Sequence, residues 1–206
     1  MTKTYPQSRL ELEREGYVMH TMFQHNNIVS FVKTYFFRTN PVILFYWLFN
    51  AVVFLFFVLL PIFSEAFRAQ LHLVLIGLVG FLFLVPIHEL IHGIGYRLAG
   101  ARTVSYRVVW RKFVVYAMAD RFVTRRHWFV ALALAPFALI NCALMILIMA
   151  TDGGWSAVMT GALIMHTAGC SGDFALVSYF YTFWSRHPIT YDEEAEGRTV
   201  FMLLPE

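Results

Sequence analysis

The sequence predicts an all-α polytopic membrane protein of about four transmembrane helices, with a small β-hairpin between the second and the third. Three observations predict it. Of the 206 residues, 59% are apolar and only 14% charged, a balance far from that of ordinary soluble domains. The apolar residues are concentrated in four runs, at about 42–63, 71–100, 129–150 and 154–184, and each reaches the roughly 20 helical residues that a ~30 Å hydrocarbon core requires. The basic residues flank those runs unevenly: five Lys and Arg in 1–40, one in 64–70, seven in 101–128, none in 151–153 and two after 184. By the positive-inside rule both termini and the 101–128 segment are expected in the cytoplasm and the two short loops outside. The net charge of +3 then follows from topology. It is not a nucleic-acid footprint, so the bilayer and not nucleic acid is the expected environment.

A single domain spanning 1–206 is expected, with three parts. Residues 1–40 form a cytoplasmic amphipathic region, in which "VMHTMF" and "IVSFVKTYFF" read as amphipathic turns along the leaflet. These forty residues carry charges of both signs and no apolar core ahead of a small-residue cleavage site, so the first span is expected to direct insertion. Residues 41–184 form the four-span core, opened by Pro41 at a first helical position. The second and fourth runs are each about thirty residues, about 45 Å as straight helix, so they should tilt, kink or project. Pro86 and the "AGCSG" at 168–172 mark where they weaken. Broken helices inside a membrane line cavities, because freed backbone groups need partners. Within 101–128, "TVSYRVV" and "FVVYAMA" are β-branched and aromatic and are separated by the polar "WRK", which predicts the hairpin. The tail, 185–206, has an acidic turn and a strand-like "TVFMLL" that could pair with that hairpin. Cys142 and Cys170 both fall within spans, where a disulfide is not expected.

The chemistry is concentrated in "FLFLVPIHELIHGIGYRLAG", 81–100. His88, Glu89 and His92 form the pattern HExxH on a predicted helix. Spacing of i and i+4 puts both imidazoles on one face, where both can reach one Zn²⁺ at about 2.0–2.1 Å. Glu89, next to the first ligand, is placed to take a proton from a water at the metal without displacing it, as a general base must. The rival reading is two histidines packed in a helical bundle with a glutamate at its edge. Location argues against that reading, because Glu89 and Asp173 are the only carboxylates in the four apolar runs and an unpaired one there is expensive.

Two histidines leave a catalytic zinc site short of a protein ligand. Asp173 is the expected third ligand. Counted from the cytoplasmic span ends at 1.5 Å per residue, it and the histidine pair both lie roughly 15 Å in. His166 sits about 10 Å further along the helix and is expected as an accessory residue, shaping the cavity or shuttling protons, or as a packed, hydrogen-bonded histidine. Cys170 is the remaining candidate ligand, with close helix packing as its other reading. Asn141 in the third run lies at nearly the same depth. It is expected either to bind substrate as an oxyanion-type donor or to make an interhelical hydrogen bond. Arg97 is expected to snorkel toward the interface, and His20, His25, His72 and His127, at or beyond span ends, are assigned no chemistry.

With "HELIHG", the third-run "LALAPFALIN" and "AGCSGDF", the chain resembles a small bacterial zincin-peptidase family once classed as a domain of unknown function. That family in turn resembles the site-2-protease group of intramembrane zinc metalloproteases. The resemblance covers about 85–180. It implies a helical core with HExxH on one span and a metal-binding aspartate on a later one, hence zinc at His88, His92 and Asp173 with Glu89 as base. The chain departs from the site-2 proteases in one respect, since Gly172 precedes Asp173 and Phe174 follows it, where glycine is common in that group. The expectation is therefore a zinc-dependent intramembrane endopeptidase of the bacterial plasma membrane, acting on transmembrane or membrane-associated protein substrates. Its rivals are a metal transporter or sensor, or a catalytically inactive scaffold, using the same ligands. Glu89 separates these, because a ligand-only site has no need of it.

Overall fold

The computed structural model describes residues 9–109, 114–151 and 153–206. A short helix α1 (Arg9–Arg14) leads into strand β1 (Val18–Gln24), and after a 3-10 turn comes the amphipathic helix α2 (Ile28–Phe36). Asn40 then caps helix α3 (Pro41–Phe63): its side-chain oxygen accepts from the Ile43 N–H at 3.1 Å, and Pro41 follows at the first helical position, where its missing N–H costs nothing. The Asn40 amide donates to Ser178 Oγ at 2.7 Å, which ties the start of this helix to the end of the chain's helical part.

The second apolar run continues from α4 (Glu65–Ala69) into α5 (Leu71–Gly80), a 3-10 turn at Phe81–Phe83 and α6 (Leu84–Ala99). The expected break is there, four residues ahead of Pro86. The proline ring collides with the carbonyl of the residue four before it, here Leu82, so the irregular turn falls on that residue. Helix α6 stops at Gly100, whose φ of 106° is left-handed, with Ala101 N–H returning to the Tyr96 carbonyl at 2.9 Å. The third run is α7 (Arg126–Ala150). The fourth is divided at Cys170 into α8 (Gly154–Gly169) and α9 (Ser171–Thr182), within the glycine-rich "AGCSG". Three helical segments, Pro41–Leu59, Leu71–Ala99 and Arg126–Ala150, are long and apolar enough to cross a membrane; the divided fourth run is not among them. Their outward side chains, such as Phe54, Leu55, Ile76 and Ile146, are exposed apolar groups suited to lipid. Helices α5 and α8 touch backbone to backbone: a Cβ on Gly77 would overlap the Val158 carbonyl, and one on Gly161 the Val74 carbonyl.

The all-α expectation needs one correction. The hairpin forms, as β2 (Ser105–Val109) against β3 (Val114–Met118), with its "WRK" turn outside the described residues. A second, four-stranded antiparallel sheet is also present, in the order β1-β6-β5-β4, built with β4 (Thr124–Arg125), β5 (Ile189–Glu193) and β6 (Arg198–Leu203). "VMHTMF" is therefore a strand and not an amphipathic turn, and "TVFMLL" pairs with β1 and β5 and not with the hairpin. Local periodicity could not show this, because Val18 pairs with Leu203 across almost the whole chain. The hairpin is fastened to the sheet through side chains: Ser105 Oγ and Arg107 Nη2 donate to Glu194 at 3.0 and 2.8 Å, and the Ala119 N–H reaches Asp192 Oδ2 at 3.4 Å. An aromatic core of Phe23, Phe31, Tyr179 and Phe201 joins the sheet to α2 and α9.

Candidate metal centre

Helix α6 carries His88, Glu89 and His92 on the turns after the 3-10 break, and α9 carries Asp173 in its first turn. His88 Nε2 lies 3.2 Å from Asp173 Oδ2, His92 Nε2 lies 3.4 Å from Asp173 Oδ1, and the two Nε2 atoms lie 3.1 Å apart. These separations test whether the residues fit a metal. Ligands at 2.0–2.1 Å from a tetrahedral cation stand about 3.3 Å from one another, close to the distances observed. His92 Nδ1 faces the Leu132 carbonyl at 3.1 Å, and a carbonyl can only accept, so its proton sits on Nδ1 and Nε2 presents a lone pair to the group. The donor set of two imidazoles and one carboxylate is that of catalytic zinc sites, which keep a further position open.

Glu89 is buried beside this group and is not part of it; its Oε2 accepts from the Ala117 N–H of β3 at 2.8 Å. A cavity of about 600 Å³ opens over the cluster. Val29, Val32 and Lys33 of α2 border it on one side, Phe81 and Leu82 on another, and Val115 to Ala117 of β3 on a third. Gly169, Ser171 and Gly172, at the break between α8 and α9, complete the wall.

Sequence reasoning placed His88, Glu89, His92 and Asp173 together, and the structure has them together. It placed His166 too far away. His166 Nε2 lies 3.2 Å from His88 Nδ1, because the depth count assumed one straight helix where the chain breaks at Cys170. Cys170 Sγ is 4.0 Å from His166 Nε2, and His88, His166 and Cys170 make a second grouping with metal-ligand spacing; the thiol also donates to the His166 carbonyl at 3.2 Å. Of the two readings of Asn141, the interhelical hydrogen bond is the one observed: its Oδ1 accepts from His166 Nδ1 at 2.6 Å, and Asn141 does not line the cavity. Its Nδ2 is buried without a hydrogen-bond partner. Two groups at the site left no sequence signal, the Leu132 carbonyl and the Ala117 N–H, because backbone groups are independent of residue type.

Fold and site together give a mostly helical protein, with three helices long and apolar enough to cross a membrane and a two-histidine, one-carboxylate cluster under a cavity, a grouping that could hold a metal ion. A family model described as "Putative zincin peptidase" matches residues 81–186, just over half the chain, and the chain belongs to that family. The matched stretch contains all the cluster residues, and the family's description implies zinc. No curated protein and no solved structure matches the chain.

Proposed function

We propose that the protein is a zinc-dependent intramembrane endopeptidase that hydrolyses peptide bonds of transmembrane or membrane-associated protein substrates. It acts in a bacterial plasma membrane with both termini cytoplasmic. One observation carries the reading: the His88 and His92 Nε2 atoms and the Asp173 carboxylate, from elements far apart in the chain, meet at ligand spacing while Glu89 stands beside them outside the group. Zinc held there supplies a Lewis acid that activates water and polarises a carbonyl. Glu89 acts as general base. Its Oε2 is held by Ala117, which leaves Oε1 to take the water proton and later deliver it to the leaving amine.

The substrate must be extended at the site, since a helical peptide bond is shielded by its own hydrogen bonds. Strand β3 favours this. In an antiparallel ladder alternate residues turn their N–H and C=O outward, and the Ala117 N–H, bonded to Glu89, identifies the outward set as 115 and 117. Their remaining groups border the cavity, where a substrate strand can add to the edge. The arrangement of HExxH on one apolar helix and the aspartate on a later one also supports likeness to the site-2 proteases.

The test joins metal analysis to cleavage of single-span substrates co-reconstituted in liposomes. Glu89→Gln should keep its zinc and lose about 10²–10⁴-fold in turnover, whereas His88→Ala and Asp173→Ala should lose the zinc. Zinc uptake into the liposomes that persists in Glu89→Gln, with no cleavage by the wild type, would favour a transporter and end the peptidase reading.

A further inference from the structure

We propose that Asn141 and His166 form a positioning relay that holds His88 in the one tautomer able to bind the cation. The inference rests on the metal reading above and concerns two residues outside the ligand group. Asn141 on α7 and His166 on α8 are buried, 2% and 1% exposed, with His166 at the cavity wall and Asn141 behind it. His166 bridges Asn141 Oδ1, 2.6 Å from its Nδ1, and His88 Nδ1, 3.2 Å from its Nε2.

The proton positions follow from the end of this chain. With the Asn141 amide turned so that Oδ1 faces His166, that oxygen only accepts and His166 carries its proton on Nδ1, whereas the reversed amide would place the His88 proton on Nε2 and block the cation. With Oδ1 facing it, His166 has a bare acceptor at Nε2, and His88 must donate to it from Nδ1. That leaves the His88 lone pair on Nε2, the atom that faces His92 and Asp173. The other tautomer of His88 would set two lone pairs against each other across 3.2 Å and point an N–H at the cation. His92 is locked by a shorter route, its Nδ1 on the Leu132 carbonyl. The two ligands therefore differ: backbone orients His92, while only side chains orient His88. Outer partners of this kind are worth about 10–100-fold in metal affinity. The competing use of the same atoms is a second metal shared by His88, His166 and Cys170, which would require His88 to give up its last ring proton.

The experiment uses full-length protein in detergent, stripped of metal and titrated with zinc against a chromophoric chelator. Cobalt absorption serves as a second readout, and melting of the apoprotein as a check on folding. His166→Leu and Asn141→Leu should each weaken zinc about 10–100-fold with apoprotein melting retained. His166→Gln, whose amide can accept from His88 and donate to Asn141, should recover most of that loss. Equal affinities in His166→Leu and His166→Gln would mean that His166 only fills space, and would overturn the relay. So would wild-type affinity in Asn141→Leu. Two metals per wild-type chain, falling to one in Cys170→Ser, would overturn it in favour of the shared site. Failure of the metal reading itself looks different: His92→Ala would then bind zinc as the wild type does, whereas failure of the relay alone leaves His92→Ala without zinc.

Discussion

Glu89 is held by one hydrogen bond from a strand edge, and that bond can be removed with little else. The Ala117 N–H points away from the β2 partner strand, so a proline there removes a donor that the ladder does not use. Ala117→Pro should therefore lower kcat by about 10–100-fold, the worth of a hydrogen bond to a charged group, while zinc content stays at the wild-type level. Steady-state kinetics beside metal analysis would check it. Outside the helical core, Asp192 has a different burden. Burial pushes its carboxyl up to about 6, against the Thr199 hydroxyl and the Ala119 N–H that favour the charged form. A carboxyl raised in the folded state stabilises fully below its unfolded value of about 3.9, and that contribution is lost as pH rises through about 6. Asp192→Asn should accordingly gain on the wild type between pH 4 and 7 by up to about 3 kcal/mol, read as the difference between their melting curves. At this scale HExxH was legible because i and i+4 are local. Asp173 could be placed near the histidine pair because a residue count along each apolar run puts both at nearly the same depth. His166 was misplaced because its contact with His88 depends on how two separate helices meet.

Among the elements, α8 carries His166 and crosses α5 backbone to backbone, while α5 leads through the 3-10 turn at Phe81–Phe83 into α6, which carries His88. Gly161→Ala must push α8 off the Val74 carbonyl, an overpacking cost of about 1–3 kcal/mol, and should lower the melting temperature. Gly80→Ala, with open space around its new methyl, should leave it unchanged or raise it slightly. Both breaks were readable from sequence, at Pro86 and at "AGCSG", because proline and glycine act on the backbone locally. Strand β1 was not readable, since what makes "VMHTMF" a strand is β6, nearly two hundred residues away.

Over the whole molecule, the four-stranded sheet joins the N-terminal segment, the end of the 101–128 segment and the tail, so the three stretches richest in Lys and Arg outside the apolar runs meet in one sheet. With cytoplasmic termini, Glu196→Cys in intact cells should resist a membrane-impermeant maleimide and Glu65→Cys should react, in a background with Cys142 replaced; the reverse pattern would invert the proposed orientation. A metal that joins α6 to α9 should also stabilise the fold. Zinc at about 100 times its Kd adds about 2.7 kcal/mol, so chelation should lower the melting temperature of the wild type and not that of Asp173→Ala.

Residue type and short-range spacing by themselves determined the apolar runs, their weak points, the hairpin and the HExxH face, because each of these depends on neighbours within a turn or two of helix or strand. Only the tertiary structure decided the second sheet, the place of His166 behind His88 and the hold of Ala117 on Glu89. Each of those joins atoms from distant segments, through backbone groups or helix crossings that no local pattern encodes.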